Sequence, residues 1–246
     1  MLDLVRSTES RFTFLQALDD DPVWSPDASS IIFDSNPDGA SNIFRKISTG
    51  ADKEERVFKS SMGCFPLDYS PDGRYILFNQ QDVTGKSNSS LWVFPLGGDG
   101  KPTRISQGEA NVSTGKFAPD AKWLVYSSNE TTKEEVYVQA FPATQGKWQV
   151  STNGGGAPQW SKDGKEIFYI SPAKKLMVVA VKTAGGSIEM GIPKPLFEVD
   201  IDRFTAPNRY AVTKDGQRFI VNLPSDGATA LPLTVVLNWT EEFVKK

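Results

Sequence analysis

Trp24 to Phe33 reads WSPDASSIIF, and the same ten-place pattern returns at Tyr69 (YSPDGRYILF), Phe117 (FAPDAKWLVY), Trp160 (WSKDGKEIFY) and Val212 (VTKDGQRFIV). The starts lie 45, 48, 43 and 52 residues apart. Asp27, Asp72, Asp120, Asp163 and Asp215 hold the fourth place of each copy, and an apolar triplet (IIF, ILF, LVY, IFY, FIV) closes it. A period within roughly 20 to 50 residues is the mark of a repeat architecture, in which each unit buries its apolar face against its neighbour.

The chemistry of one unit follows from its residue types. Ser-Pro-Asp-Gly suits a type I turn: Ser at the first corner, Pro fixing φ at the second, and an Asp carboxylate placed to accept backbone N–H groups. An aromatic precedes the turn in four copies, and the β-branched or aromatic triplet that follows is short enough for a strand buried on both faces. The turn aspartates are therefore structural, and the aromatics Trp24, Tyr69, Phe117 and Trp160 are expected to pack between units. A third strand is read at Asn42–Ile47, Leu91–Phe94, Val136–Phe141, Leu176–Val181 and Leu233–Asn238. A fourth follows a basic residue thirteen places before each of the first four starts (Arg11, Arg56, Arg104, Lys147), and Pro195–Val199 completes the fourth unit.

Four antiparallel strands per unit make a propeller blade, so the expected fold is an all-β propeller occupying residues 1–246 as one domain. The fifth unit has three strands (Arg209–Val212, Arg218–Asn222 and Leu233–Asn238), while Arg11–Phe14 is a fourth strand without companions. Pairing Arg11–Phe14 beside Leu233–Asn238 would close a five-bladed ring. The other reading is a part of a larger propeller.

These residues resemble the TolB-type, WD40-like propeller repeats of bacteria (PD40), over nearly the whole chain. The resemblance is nearest to the C-terminal propeller segments of bacterial membrane-anchored serine/threonine kinases, on stretches such as Pro22–Asp27, Val136–Pro142, Gly146–Ser151 and Leu233–Trp239. Ala28 and Ala121 depart from it at the turn glycine, Lys162 and Lys214 at the proline, and Val212 at the aromatic. It implies a sensor domain outside the cytoplasm, periplasmic in a bacterium, fused to a kinase in a longer parent chain. The kinase motifs themselves are not in the sequence.

Composition narrows the function. With no histidine, the chain holds no Ser-His-Asp or Cys-His machinery, no His-ligated zinc and no kinase catalytic loop. A net charge of −3 supplies no field for nucleic acid. The longest apolar run, Leu176–Val181, is far short of the roughly twenty residues a membrane-spanning helix needs. Cys64 is the single cysteine and reads as a buried bystander. Gly97–Pro102 lacks the phosphate-loop spacing, and Ser113-x-x-Lys116 and Ser171-x-x-Lys174 fall in β context rather than at the start of a helix. Four Asn-x-Ser/Thr sequons, at Asn88, Asn111, Asn129 and Asn238, matter only in a glycosylating host.

In propellers of this kind one face is built from the loops that lead into the innermost strands and those between second and third strands. That face is expected to carry Asp19, Asp20, Asp21, Asn36, Asp38, Glu109, Asn111, Asn153, Arg203, Asn208 and Arg209. The mixture suits a polar peptide, a sugar or a cation, or else consists of solvated turn residues. No metal site or cofactor is expected, since successive carboxylates on an extended segment point in alternating directions. The leading expectation is a non-enzymatic propeller presenting a polar face to a protein or small polar ligand. The competing class is a carboxylate- or metal-dependent hydrolase or lyase with its site in the axial opening.

Overall fold

The computed structural model describes residues 1–3, 8–84, 88–98, 100–142, 146–184, 186–201, 210–213, 215–221 and 234–236. They form an all-β chain of antiparallel sheets, with no helix among the described residues. A short ribbon, β1 (Leu2–Asp3) with β2 (Thr8–Glu9), precedes the repeats. Blade I is β3 (Asp19–Trp24), β4 (Ser30–Ser35), β5 (Asn42–Ile47) and β6 (Glu55–Phe58). Blade II is β7 (Gly63–Tyr69), β8 (Tyr75–Gln81), β9 (Ser90–Pro95) and β10 (Thr103–Arg104). Blade III is β11 (Val112–Phe117), β12 (Trp123–Ser128), β13 (Glu135–Ala140) and β14 (Lys147–Gln149). Blade IV is β15 (Gly156–Trp160), β16 (Glu166–Ile170), β17 (Lys175–Ala184), β18 (Ser187–Met190) and β19 (Lys194–Glu198). Blade V is β20 (Tyr210–Val212), β21 (Phe219–Val221) and β22 (Thr234–Val236).

The repeated turn has one geometry in all five blades. In blade I the Ser25 N–H donates to Ser30 O and the Ala28 N–H to Ser25 O, both at 2.9 Å. The same pair of bonds recurs at Ser70/Gly73, Ala118/Ala121, Ser161/Gly164 and Thr213/Gly216. The aspartate works as a clamp: Ser25 Oγ–H and Ser29 N–H both donate to Asp27 Oδ1 (2.7 and 3.1 Å). Asp72, Asp163 and Asp215 repeat this with Ser70, Ser161 and Thr213, whereas Asp120, which follows Ala118, takes the Lys122 N–H alone. The fourth corner needs a left-handed φ. Gly73, Gly164 and Gly216 adopt +71°, +70° and +70°, and Ala28 and Ala121 are held at +57° in the same place. The two alanines thus leave the turn geometry unchanged.

The second strands of blades II to IV are buried on both faces because each lies between two neighbouring blades, and their period-2 alternation assigns the faces. In β8, Ile76 and Phe78 pack with Val23, Ile32 and Ile43 of blade I, while Leu77 packs with Phe117, Leu124 and Tyr126 of blade III. In β12, Trp123 and Val125 turn instead toward Trp160, Ile167 and Tyr169 of blade IV. In β16, Phe168 and Ile170 meet Tyr210, Phe219 and Val221 of blade V. Phe78, Phe168 and Phe219 are wholly buried, each contributing about 1.5–3 kcal/mol by leaving water. Tyr69, Phe117 and Trp160 join these inter-blade clusters as expected; Trp24 does not, and is 50% exposed.

Two further expectations need correction. The third strand of blade IV runs past Val181 to Ala184 and turns back as β18, because Ala184 pairs with Ser187 across a tight connection in which Gly186 takes φ +80°. The N-terminal latch is not formed among the described residues. Arg11–Phe14 is not a strand; Phe14 N–H donates to Glu54 Oε1 (2.8 Å), and Lys46 Nζ lies 5.5 and 4.9 Å from the Phe12 and Phe14 ring centres. The segment lies on blade I, where Ile31, Phe33 and Phe44 form an apolar face turned away from blade II; Phe12 stands beside Ile31 and Phe33, while Phe14 is largely exposed. Among the described residues β22 pairs with β21 alone.

Candidate functional site

The inner strands β3, β7, β11, β15 and β20 end around one opening of about 580 Å³. Every blade delivers its repeat-start residue to this funnel: Trp24, Tyr69, Phe117, Trp160 and Val212. The preceding residue joins them in four blades, as Asp68, Lys116, Gln159 and Ala211, and Lys162 stands at the rim. Asp68 Oδ2 accepts the Phe117 N–H at 2.8 Å. Lys116 Nζ donates to Leu67 O at 2.6 Å and lies 3.6 Å from Asp68 Oδ1, so this pair ties blade II to blade III across the axis wall. Burial pushes the Asp68 carboxyl upward, with the Lys116 ammonium opposing. The Trp160 indole N–H is buried without a partner among the described residues.

A second electrostatic feature sits at the other end of β3. Each inner strand of blades I to IV carries a bulge or register shift; in β3 it falls between Asp20 and Val23, and Asp21 takes φ +48° there. Bulges re-aim side chains locally. Asp20 is registered opposite Asp34 of β4. Burial raises the Asp21 carboxyl to about 6, with Asp20 adding repulsion and Lys116 opposing. Burial raises Asp34 to about 7, reinforced by Asp21 and Asp20 and eased by a hydrogen bond from Ser41. Two carboxyls next to one another thus hold protons far above the usual range.

The loop residues expected on the ligand face are mostly engaged in fixing loops. Asn36 Oδ1 accepts the Leu18 N–H (2.9 Å), Asp38 pairs with Arg56 (2.5 Å), and Asn111 Oδ1 accepts the Ser89 N–H (2.8 Å). Glu109 receives the Asn88 amide through its backbone oxygen, and Asn153 is exposed. Arg203, Asn208 and Arg209 lie outside the described residues. Asp19, Asp20 and Asp21 stand together at the start of β3. Sequence reasoning missed Asp34, Asp68, Lys116 and Gln159. A signal for the last three was present: a charged or amide residue directly before the repeat start, on a strand that must face the axis. Cys64 is buried, and its thiol, pushed up by burial, donates to Met62 O (3.6 Å).

Blades whose inner strands share one axial opening define a β-propeller. No protein-family model matches the chain, and no curated protein matches it. Among solved structures it is similar to TolB from Acinetobacter baumannii, with a TM-score of 0.64 and 19% identity over 83% of this chain and 48% of that one. The chain therefore spans about half the length of that TolB. It is also similar to an oligogalacturonate lyase in complex with manganese (TM-score 0.60, 16% identity, 98% of this chain and 67% of that one). A prolyl endopeptidase gives a TM-score of 0.51 at 13% identity, over 89% of this chain and 42% of that one. At these identities the likeness establishes a TolB-like propeller fold and nothing finer.

Proposed function

We propose that the chain is a non-catalytic binding propeller that receives a protein or a small polar ligand at its axial funnel, as the sensory portion of a longer extracytoplasmic protein of the kinase-linked kind. One observation carries this reading: all five blades converge on one concave opening that combines aromatic rings with Lys116, Asp68, Gln159 and Lys162. Convergent polar groups in a mostly preformed concavity are what a ligand site requires. The funnel's charged pair is committed to joining two blades, which suits recognition better than proton transfer.

The raised carboxyls of Asp21 and Asp34 support a second reading, a carboxylate-dependent hydrolase or lyase, since a proton held near neutrality is what a general acid needs. Asp34 is only 4% exposed, which favours the binding reading. A thermal-shift panel of sugars, peptides and divalent metals separates the two. A ligand at 100 times its Kd raises apparent stability by about 2.7 kcal/mol. Binding at the funnel predicts that Gln159→Ala and Lys162→Glu remove the shift while Asp21→Asn leaves it. Turnover of an oligosaccharide that Asp21→Asn abolishes would establish the enzyme instead.

A further inference from the structure

On the face of blade I turned away from blade II lies a second cavity of about 500 Å³, which shares only Trp24 with the funnel among the described lining residues. Phe12, Trp24, Ile31 and Phe33 form its apolar walls, and Asp19 and Asp20 line one end. The strand register explains the grouping. Trp24 is paired with Ile31 and Asp19 with Ser35, and directly opposed residues project to the same side of a sheet. Period-2 alternation along β4 puts Phe33 on that side as well, whereas Asp20, opposite Asp34, projects to the other side, so the carboxylate on the cavity side is that of Asp19.

Three features distinguish this cavity from an ordinary surface hollow. Trp24, whose counterparts Tyr69, Phe117 and Trp160 pack between blades, is 50% exposed. Asp19 Oδ1 is buried with no hydrogen-bond partner, and Asp20 Oδ1 accepts only the Asp21 N–H (3.0 Å). No Lys or Arg lines the cavity among the described residues. The Lys46 ammonium over Phe12 is taken by Glu54 at 3.1 Å, and the Met1 amino group donates to Ser10 O at 2.7 Å. A carboxylate oxygen buried without a donor is costly, and a cation brought beside it would supply both the charge and the hydrogen bond. Aromatic faces add attraction for the same cation and dry contact for an apolar stem. An anion would face the Asp19 carboxylate, and a neutral polyol would forgo the aromatic wall.

We propose that this cavity binds a primary ammonium carried on an apolar body, as in a lysine side chain or a free aralkylamine. The site is independent of the funnel reading.

The test is isothermal titration of the full chain with 2-phenylethylammonium, with 2-phenylethanol as the uncharged counterpart and a short lysyl peptide as the second source of the same group. The ammonium should saturate one site and bind at least tenfold tighter than the alcohol. Asp19→Asn together with Asp20→Asn should weaken it at least tenfold, and Phe12→Ala should weaken it too, while Lys162→Glu in the funnel leaves it unchanged. A peptide binding tighter than the free amine would assign the site to a protein segment, and the reverse to a small amine; both support the proposal. Equal affinity for ammonium and alcohol, insensitivity to the Asp19/Asp20 change, or no saturable binding of any amine would overturn it. If the double variant does not fold, the ammonium-to-alcohol ratio on the unaltered chain decides.

Discussion

Replacing Ala28 by glycine should stabilise the protein, although it deletes a methyl group. Ala28 is held at φ +57°, where an L-residue pays roughly 1–2 kcal/mol, and Gly73, Gly164 and Gly216 occupy the equivalent corner in other blades. Glycine's greater freedom in the unfolded chain returns about 0.5–1 kcal/mol of that gain. The net expectation is a stabilisation of about 0.5–1 kcal/mol, or about 1–4 °C in Tm for a chain of this size. Ala121→Gly should behave alike, since it has the same φ and sits two blades away, and the two changes should add. The reciprocal substitution isolates the cause. A Cβ built on Gly73 meets nothing within 4 Å, so Gly73→Ala has no packing consequence and should destabilise through backbone strain alone. Thermal melts and urea titrations of the three variants read the sign. Lower stability in both alanine-to-glycine variants, or a neutral Gly73→Ala, would refute the argument that the turn demands a left-handed corner.

Further outcomes follow from the buried charges. Asp21 and Asp34, raised to about 6 and about 7, bind protons more tightly in the folded than in the unfolded chain. Their contribution is therefore full below the ordinary carboxylate range and is lost as pH rises through 6 to 7. Asp27, lowered to about 2, and Asp72, Asp163 and Asp215, lowered likewise, contribute above that range and lose their contribution as pH falls toward 2. Urea midpoints measured across pH should accordingly peak near about pH 4 to 5, and Asp34→Asn should raise the midpoint at pH 8 and flatten the alkaline limb. Lys46 and Glu54 form a pair with side chains only 2% and 7% exposed, and Glu54 also holds the Phe14 N–H. Glu54→Ala leaves that ammonium unpaired and should cost about 3–5 kcal/mol, read by equilibrium unfolding, whereas the exposed Arg45–Glu55 pair should be worth under about 1 kcal/mol.

The blade plan was legible because its causes are local. A proline or lysine, an aspartate and a glycine or alanine in fixed order make one turn wherever they occur, and a short apolar triplet after it makes a strand. Hence the clamp role of Asp27 and its counterparts, and the strands on either side, could be read without coordinates. The latch could not. Whether Arg11–Phe14 extends a distant sheet or lies along blade I with Phe12 beside its bare face depends on which face is free, and the sequence does not carry that.

The same division separates the sites. That Asp68, Lys116 and Gln159 would meet the five repeat starts around one funnel depends on the ring bringing residues from different blades together. That Asp34 lies opposite Asp20, and that Trp24 alone among the aromatic repeat starts is left open beside Asp19, depends on register and on which blade faces lie bare. Turn chemistry and strand periodicity act over a few residues, so the chain's order alone determined the repeating module. Burial, charge coupling and cavity shape arise between residues tens of positions apart, so only the tertiary structure decided where a ligand could be held.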